Sequence, residues 1–333
     1  MTQSASPLLI EVTRGDTVES RHLGAAVVAD ADGRVVSAWG ECGRATFPRS
    51  ALKPIQALPL AESGAVEAFG LGTEHLALAA ASHSGEAAHV ERVEAWLSRI
   101  GLDVTALECG AHAPSNPEAA ARLIKTDGSP CPLHNNCSGK HTGFLTVARQ
   151  LGLPHRGYIG HDHPVQQLVS AAISDMTGVA TAQAAWGTDG CGIPTYALPL
   201  SAIATAMARM ADPARLPPGR AKAARAIVAA MLEHPHLVAG SGRLCTRFMQ
   251  AVPRIAVKGG AEGCYTAIIP EKGWGVALKI DDGAGRAAEV AILAVLTKLG
   301  MLTAEESRDL ADRIAVPLPN VAGKIVGEVR AGF

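Results

Sequence analysis

Ser50 and Lys53, in the run Phe47-Pro48-Arg49-Ser50-Ala51-Leu52-Lys53-Pro54, have the spacing of a nucleophile and its base. A helix opening at Ser50 and running through Gln56, Ala57 and Leu60 sets Lys53 one turn along the same face. A serine hydroxyl is a weak nucleophile without a base. A lysine amine becomes that base when burial or a neighbouring cation lowers its pKa. The free N–H groups of a first helical turn would meet a developing oxyanion. Taken alone, the same pattern also describes a serine cap followed by a surface lysine.

Four further segments carry reactive side chains. In Ala81-Ser82-His83-Ser84-Gly85-Glu86 two serines flank a histidine, but neighbouring side chains diverge, so the segment reads better as the cap of the helix that follows. The run from His134 to Gly143 has the outline of a phosphate loop. That motif requires glycine where His134 stands and Ser or Thr where His141 stands, so nucleotide binding is excluded there. Cys137 and His141 are spaced for metal ligation or a reactive thiol. The alternative is a helix capped by Ser138 that buries Phe144, Leu145, Val147 and Leu151. Trp186 to Pro194 puts Asp189 and Cys191 on a tight glycine-rich loop that a small ligand could approach. Cys137 and Cys191 could meet as two soft ligands, with more needed from elsewhere; otherwise the loop is a turn with one buried thiol. His161 and His163 resemble a ligand pair, but a cap for a helix starting at Pro164 is favoured. Cys42, Cys109, Cys131, Cys245 and Cys264 lack pair spacing and read as small core residues.

The elements that position these residues are legible in outline. Leu8 to Thr13, Gly24 to Asp30 and Arg34 to Trp39 read as strands, with Asp32-Gly33 as a hairpin turn. Gly263 to Pro270 and Trp274 to Ile280 read as a second hairpin. Glu86 to Ile100, the segment from Pro164, Ala197 to Met210, Arg220 to Glu233 and Arg286 to Leu299 carry the helical period. Strands at both chain ends with helices between predict an α/β (α+β) fold whose antiparallel sheet is built from both ends and flanked by helices. A single domain over 1–333 is expected, with a helical subregion about 86–235. The segment 211–219 is the best linker candidate.

Composition narrows the class. The 333 residues carry 30 Lys+Arg against 31 Asp+Glu, which argues against a basic face for nucleic acid. No apolar run approaches the roughly 18 residues of a membrane span, and no signal-peptide pattern opens the chain. Seven cysteines, an odd number in a chain this long, argue against a disulfide framework and for a cytoplasmic setting.

Seven motifs in order resemble the bacterial L-asparaginases of the asparaginase II family, the serine–lysine type. They are R-S-A-L-K-P at 49–54, A-S-H-S-G-E at 81–86, N-C-S-G-K-H at 136–141, D-H-P at 162–164, W-G-T-D-G-C at 186–191, H-P-H-L-V-A-G-S-G-R-L-C-T at 234–246 and V-K-G-G-A-E-G-C-Y at 257–265. The resemblance implies a fold similar to serine β-lactamases and penicillin-binding proteins. It implies two serine–lysine pairs, Ser50 with Lys53 and Ser82 with Lys258. It also implies one zinc per chain on Cys137, Lys140 and Cys191, shaping the pocket rather than supplying the nucleophile. It places Arg49 and Asp189 near that zinc and implies that, with His141, they form the substrate-binding set. The activity implied is hydrolysis of the side-chain amide of L-asparagine to L-aspartate and ammonia by a homodimer, with no nucleic acid or membrane partner. Two alternatives stand beside it: a β-lactam or peptide acyl-hydrolase using the same S-x-x-K, and a non-catalytic zinc- or amino-acid-binding protein.

Overall fold

Exposure alternates along Thr17–Leu23, while Gly24–Ala29 is buried on both faces. In the computed structural model, which describes residues 6–333, these are two halves of one strand, Thr17–Asp30. The first half pairs with Leu8–Arg14 and the second with Trp274–Ile280. Gly24 marks the changeover, because a Cβ there would stand 2.3 Å from the Lys279 carbonyl oxygen.

The strand is the centre of an eight-stranded sheet in the order Val316–Pro319, Ile325–Ala331, Leu8–Arg14, Thr17–Asp30, Trp274–Ile280, Cys264–Ile269, Ala256–Gly259. Val35–Trp39 also pairs with Thr17–Asp30, through the turn in which Gly33 takes a φ of +85°. Every pairing is antiparallel. Helices Leu200–Ala211 and Gly285–Lys298 pack on this sheet. The first approaches so closely at Gly275 that a Cβ would lie 2.1 Å from the Ala204 carbonyl oxygen. This sheet unit comprises Met1–Ala51, Leu198–Asp212 and Arg247–Phe333.

The second unit comprises Leu52–Ala197 and Pro213–Thr246. It is built on the helices Thr73–Ala79, Ala87–Arg99, Ser138–Gln150, Pro164–Thr177 and Pro218–Glu233. Its core includes Leu78, Trp96, Leu97, Phe144, Leu145, Ile173 and Ile227, all buried. Each such large apolar side chain contributes about 1.5–3 kcal/mol relative to exposure. A short hairpin, Trp186–Thr188 with Pro194–Tyr196, carries the glycine-rich loop. The expected α+β class, with the antiparallel sheet drawn from both chain ends and helices between, is therefore present. One crossing between units, at Asp212–Pro213, falls inside the segment read as a linker. No helix among the described residues is long and apolar enough to cross a membrane.

Three local expectations are corrected. Ser50 does not cap a regular α-helix; Arg49–Leu52 is a 3-10 turn, followed by the short helices Lys53–Gln56 and Leu58–Glu62. Pro54 and Pro59 lack the N–H groups that would knit these pieces into one helix. Cys137, not Ser138, is the N-cap of Ser138–Gln150. The helix after Ser82–Ser84 is capped by Glu86, whose backbone N–H donates to Nδ1 of His89 at 3.2 Å.

Candidate active site

Lys53 opens its helix fully buried, at 0% exposure. Its amine donates to the Ala81 carbonyl at 2.5 Å, lies 2.9 Å from Ser82 Oγ, and reaches the Asn136 carbonyl at 3.4 Å. Burial lowers its pKa; the nearby Cys137 raises it and Lys140 lowers it further. Such an amine is a base that can exchange a proton with the Ser82 hydroxyl. Ser82 itself is almost buried, and its backbone N–H donates to the Val238 carbonyl at 2.9 Å.

The Ser82 segment is held from several sides. Nδ1 of His83 accepts from the Gly85 N–H at 3.2 Å, so its proton is on Nε2 and is donated to Ser138 Oγ at 2.8 Å. The Ser138 hydroxyl passes its own proton to the Leu133 carbonyl at 3.0 Å. His83 stacks on His89 at 4.8 Å and His89 on His236 at 5.1 Å. The Glu86 carboxylate accepts from Ser84 Oγ, the Ser241 N–H at 2.7 Å and Ser241 Oγ at 2.7 Å, and lies 3.2 Å from His236 Nε2. Sequence reading missed this histidine stack, since its members come from positions 83, 89 and 236; only the polar crowding of the two motifs hinted at it.

Helix Ser138–Gln150 brings the other reactive groups to Lys53. Gly139 allows it to pack against Thr73–Ala79, because a Cβ there would lie 2.5 Å from the Leu78 carbonyl oxygen. Lys140 is buried and its amine donates to Cys191 Sγ at 3.1 Å. Cys137 Sγ lies 3.0 Å from Asn136 Oδ1, and its proton also faces Cys191. That shared proton holds Cys191 down at about 5 and, with burial, pushes Cys137 up to about 12. Burial pushes the Lys140 amine down, but Cys191, Cys137 and Asp189 more than offset it and the net shift is upward. Asp189 is fixed by a tight turn, its N–H donating to the Ile193 carbonyl and its carbonyl accepting from Gly192 at 2.8 Å each. His141 is fully buried, its pKa driven well down by burial, with Nδ1 2.7 Å from the Tyr158 hydroxyl.

Two thiols and a lysine amine converging in a buried place suit zinc, which favours thiolate and nitrogen donors. Among the described residues no group of three or more His, Cys, Asp or Glu side chains is arranged to hold a metal. His163 is no ligand candidate: Nδ1 accepts from the Val165 N–H at 3.2 Å, capping the helix at Pro164, and Nε2 donates to the Pro154 carbonyl at 2.9 Å. His161 stacks on Trp186 and bonds Asp162. All seven cysteines are free.

Ser50, Arg49 and Lys258 belong to the sheet unit. Arg49 holds a φ of +51°, a left-handed conformation that costs a non-glycine residue about 1 kcal/mol or more. The turn is braced by Gly260, where a Cβ would lie 2.8 Å from both the Ala51 nitrogen and the Pro48 oxygen, and by Thr266 Oγ1, which donates to the Ala51 carbonyl at 3.1 Å. Lys258 is buried on strand Ala256–Gly259, and its amine donates to the Gly259 carbonyl at 2.6 Å.

No curated protein sequence matches the chain. Solved structures that align with it include a D-alanine carboxypeptidase from Burkholderia cenocepacia, at 14% identity and a TM-score of 0.41, covering 84% of this chain and 93% of that one. A β-lactamase from Mycobacterium bovis aligns at 15% identity and a TM-score of 0.33, covering 83% and 94%. The family model for L-asparaginase II matches residues 10–331. With its motifs in order and nearly its whole length matched, the chain belongs to the L-asparaginase II family.

Proposed function

We propose that the chain hydrolyses the side-chain amide of L-asparagine to L-aspartate and ammonia through a serine acyl-enzyme. The observation that carries this reading is the buried Lys53 amine, lowered in pKa and 2.9 Å from Ser82 Oγ, in a chain of the L-asparaginase II family.

Ser50 is the proposed nucleophile. It is half-buried beside the left-handed Arg49, whereas Ser82 is almost enclosed and engaged by Lys53. Lys53 takes the Ser50 proton, with Ser82 and Lys258 as partners in the relay, and returns a proton to the departing ammonia. Backbone N–H groups at Ser50 face the oxyanion, and water then cleaves the acyl group. Arg49, Asp189 and His141 orient the amino-acid end of the substrate. Cys137, Lys140 and Cys191 would hold zinc. That metal would add positive charge where the substrate's oxygens bind.

The direct Lys53–Ser82 contact favours a second reading in which Ser82 carries the acyl group. Mass spectrometry of rapidly quenched enzyme separates the two, since the adduct maps to the peptide holding Ser50 or to that holding Ser82. An ammonia-release panel over L-asparagine, L-glutamine and β-aspartyl peptides, run beside a chromogenic β-lactam, tests the substrate. Turnover of the β-lactam without ammonia release from asparagine would overturn the proposal.

A further inference from the structure

Tyr158 is fully buried, and its hydroxyl oxygen accepts the Glu108 backbone N–H at 3.0 Å. Its own proton has one partner at hand, Nδ1 of His141 at 2.7 Å. A ring nitrogen that accepts a hydrogen bond carries no proton, so the imidazole proton sits on Nε2. A proton on Nδ1 would instead leave the buried Tyr158 hydroxyl proton without an acceptor among the described residues. Nε2 of His141 is enclosed and has no hydrogen-bond partner among the described residues. Native chains seldom leave a buried donor unused.

The bracing of Tyr158 is specific. Gln166 Nε2 donates to the Tyr158 carbonyl at 2.9 Å, and the Gly157 N–H donates to Glu108 Oε1 at 2.9 Å. The neighbouring Ile159 packs on Gly192 of the loop that carries Asp189 and Cys191; a Cβ on Gly192 would stand 3.0 Å from its Cδ1. One short segment therefore fixes both the His141 ring and the thiolate loop.

We propose that Tyr158 is a positioning residue, holding His141 in the tautomer whose Nε2–H is a preset donor to the α-carboxylate of the bound amino acid. The proposal rests on the amide-hydrolase reading above. The titratable groups that act on the ring are Lys140, Cys137, Lys53 and Asp189; the raised Lys140 amine and the unpartnered Nε2–H together make a carboxylate the suitable acceptor. The donor itself is neutral, so it sets direction rather than charge.

The test combines spectroscopy, binding and turnover on the full chain. Nitrogen-15 NMR of histidine-labelled protein should show His141 protonated on Nε2, and Tyr158→Phe should lose that single tautomer. L-aspartate affinity by calorimetry should weaken at least tenfold in Tyr158→Phe and in His141→Phe. His141→Gln, which keeps an N–H at the same reach, should recover part of it. β-Alanine, which lacks the α-carboxylate, should bind wild type and Tyr158→Phe alike. The kcat/KM for L-asparagine should fall at least tenfold in Tyr158→Phe with little change in Tm. An Nδ1-protonated ring, unchanged aspartate affinity in Tyr158→Phe, or an equal loss for β-alanine would each overturn the proposal. Wild type that binds L-aspartate as described but releases no ammonia would overturn the hydrolase reading alone.

Discussion

Gly139 lies so close to Leu78 that a methyl group on it would stand 2.5 Å from the Leu78 carbonyl oxygen. The two residues belong to helices that must touch for Lys140 to sit beside Cys191 and for Asn136 to reach Lys53. Gly139→Ala should therefore destabilise the chain by about 1–3 kcal/mol, the usual cost of overpacking. It should also lower activity beyond what stability explains, because the whole helix start is displaced. Urea unfolding and ammonia release, measured at a temperature where the variant is fully folded, check both. A variant as stable as wild type would show that the helices part without cost.

Lys53→Met should abolish turnover while leaving the fold intact. Methionine matches the stem of lysine and removes a desolvated amine, which offsets the lost contacts to Ala81 and Ser82. Ser50→Ala and Ser82→Ala should each cut activity more than tenfold, about 1.4 kcal/mol of barrier. Retained activity in Ser50→Ala together with loss in Ser82→Ala would move the nucleophile to Ser82. Circular dichroism beside the kinetics guards against misfolding.

Cys137→Ser and Cys191→Ser should each lose zinc. The neighbours of Lys140 and of Cys137 raise both pKa values, so metal binding competes with protons there and should weaken as pH falls. Elemental analysis of protein equilibrated with zinc, then desalted, reads occupancy directly. Full occupancy in either variant would place the metal elsewhere.

Glu86 sets an acid limit on stability. Burial alone would raise its pKa, but Ser84, Ser241 and His236 outweigh burial and hold it at about 2 against an ordinary value of 4.5. A carboxylate held down in the folded state contributes stability above about pH 4.5, and that contribution fades as pH falls toward 2. Wild type and Glu86→Gln should thus differ most in Tm above pH 5 and converge as pH falls to about 2. A constant difference across that range would remove Glu86 from the acid transition.

What was legible in the sequence was what lies close along the chain. The Asp32-Gly33 turn and the His163 cap each involve a few neighbouring residues. The turn at Ser50 misled because S-x-x-K spacing fits an α-helix, while the left-handed Arg49 and two prolines select a 3-10 turn and broken helices. Tyr158 was invisible for another reason: it lies on a loop without periodicity, and its partner His141 is buried on a different element. Strands Val316–Pro319 and Ile325–Ala331 were missed because their faces are only half-covered and carry little apolar alternation.

The central strand Thr17–Asp30 bears on how the chain is made. Synthesis proceeds from the N-terminus, and domains generally fold as their residues emerge. Val35–Trp39 can cover one edge of the second half of this strand early, but its other edge must wait for Trp274–Ile280, whereas the helical unit is complete at Thr246. The N-terminal strands therefore leave the ribosome with an unsatisfied edge that persists until most of the polypeptide has followed. During that interval the hydrophobic run Ala25–Ala29 is open to any competing strand, so this segment is where nascent-chain aggregation and chaperone engagement should concentrate.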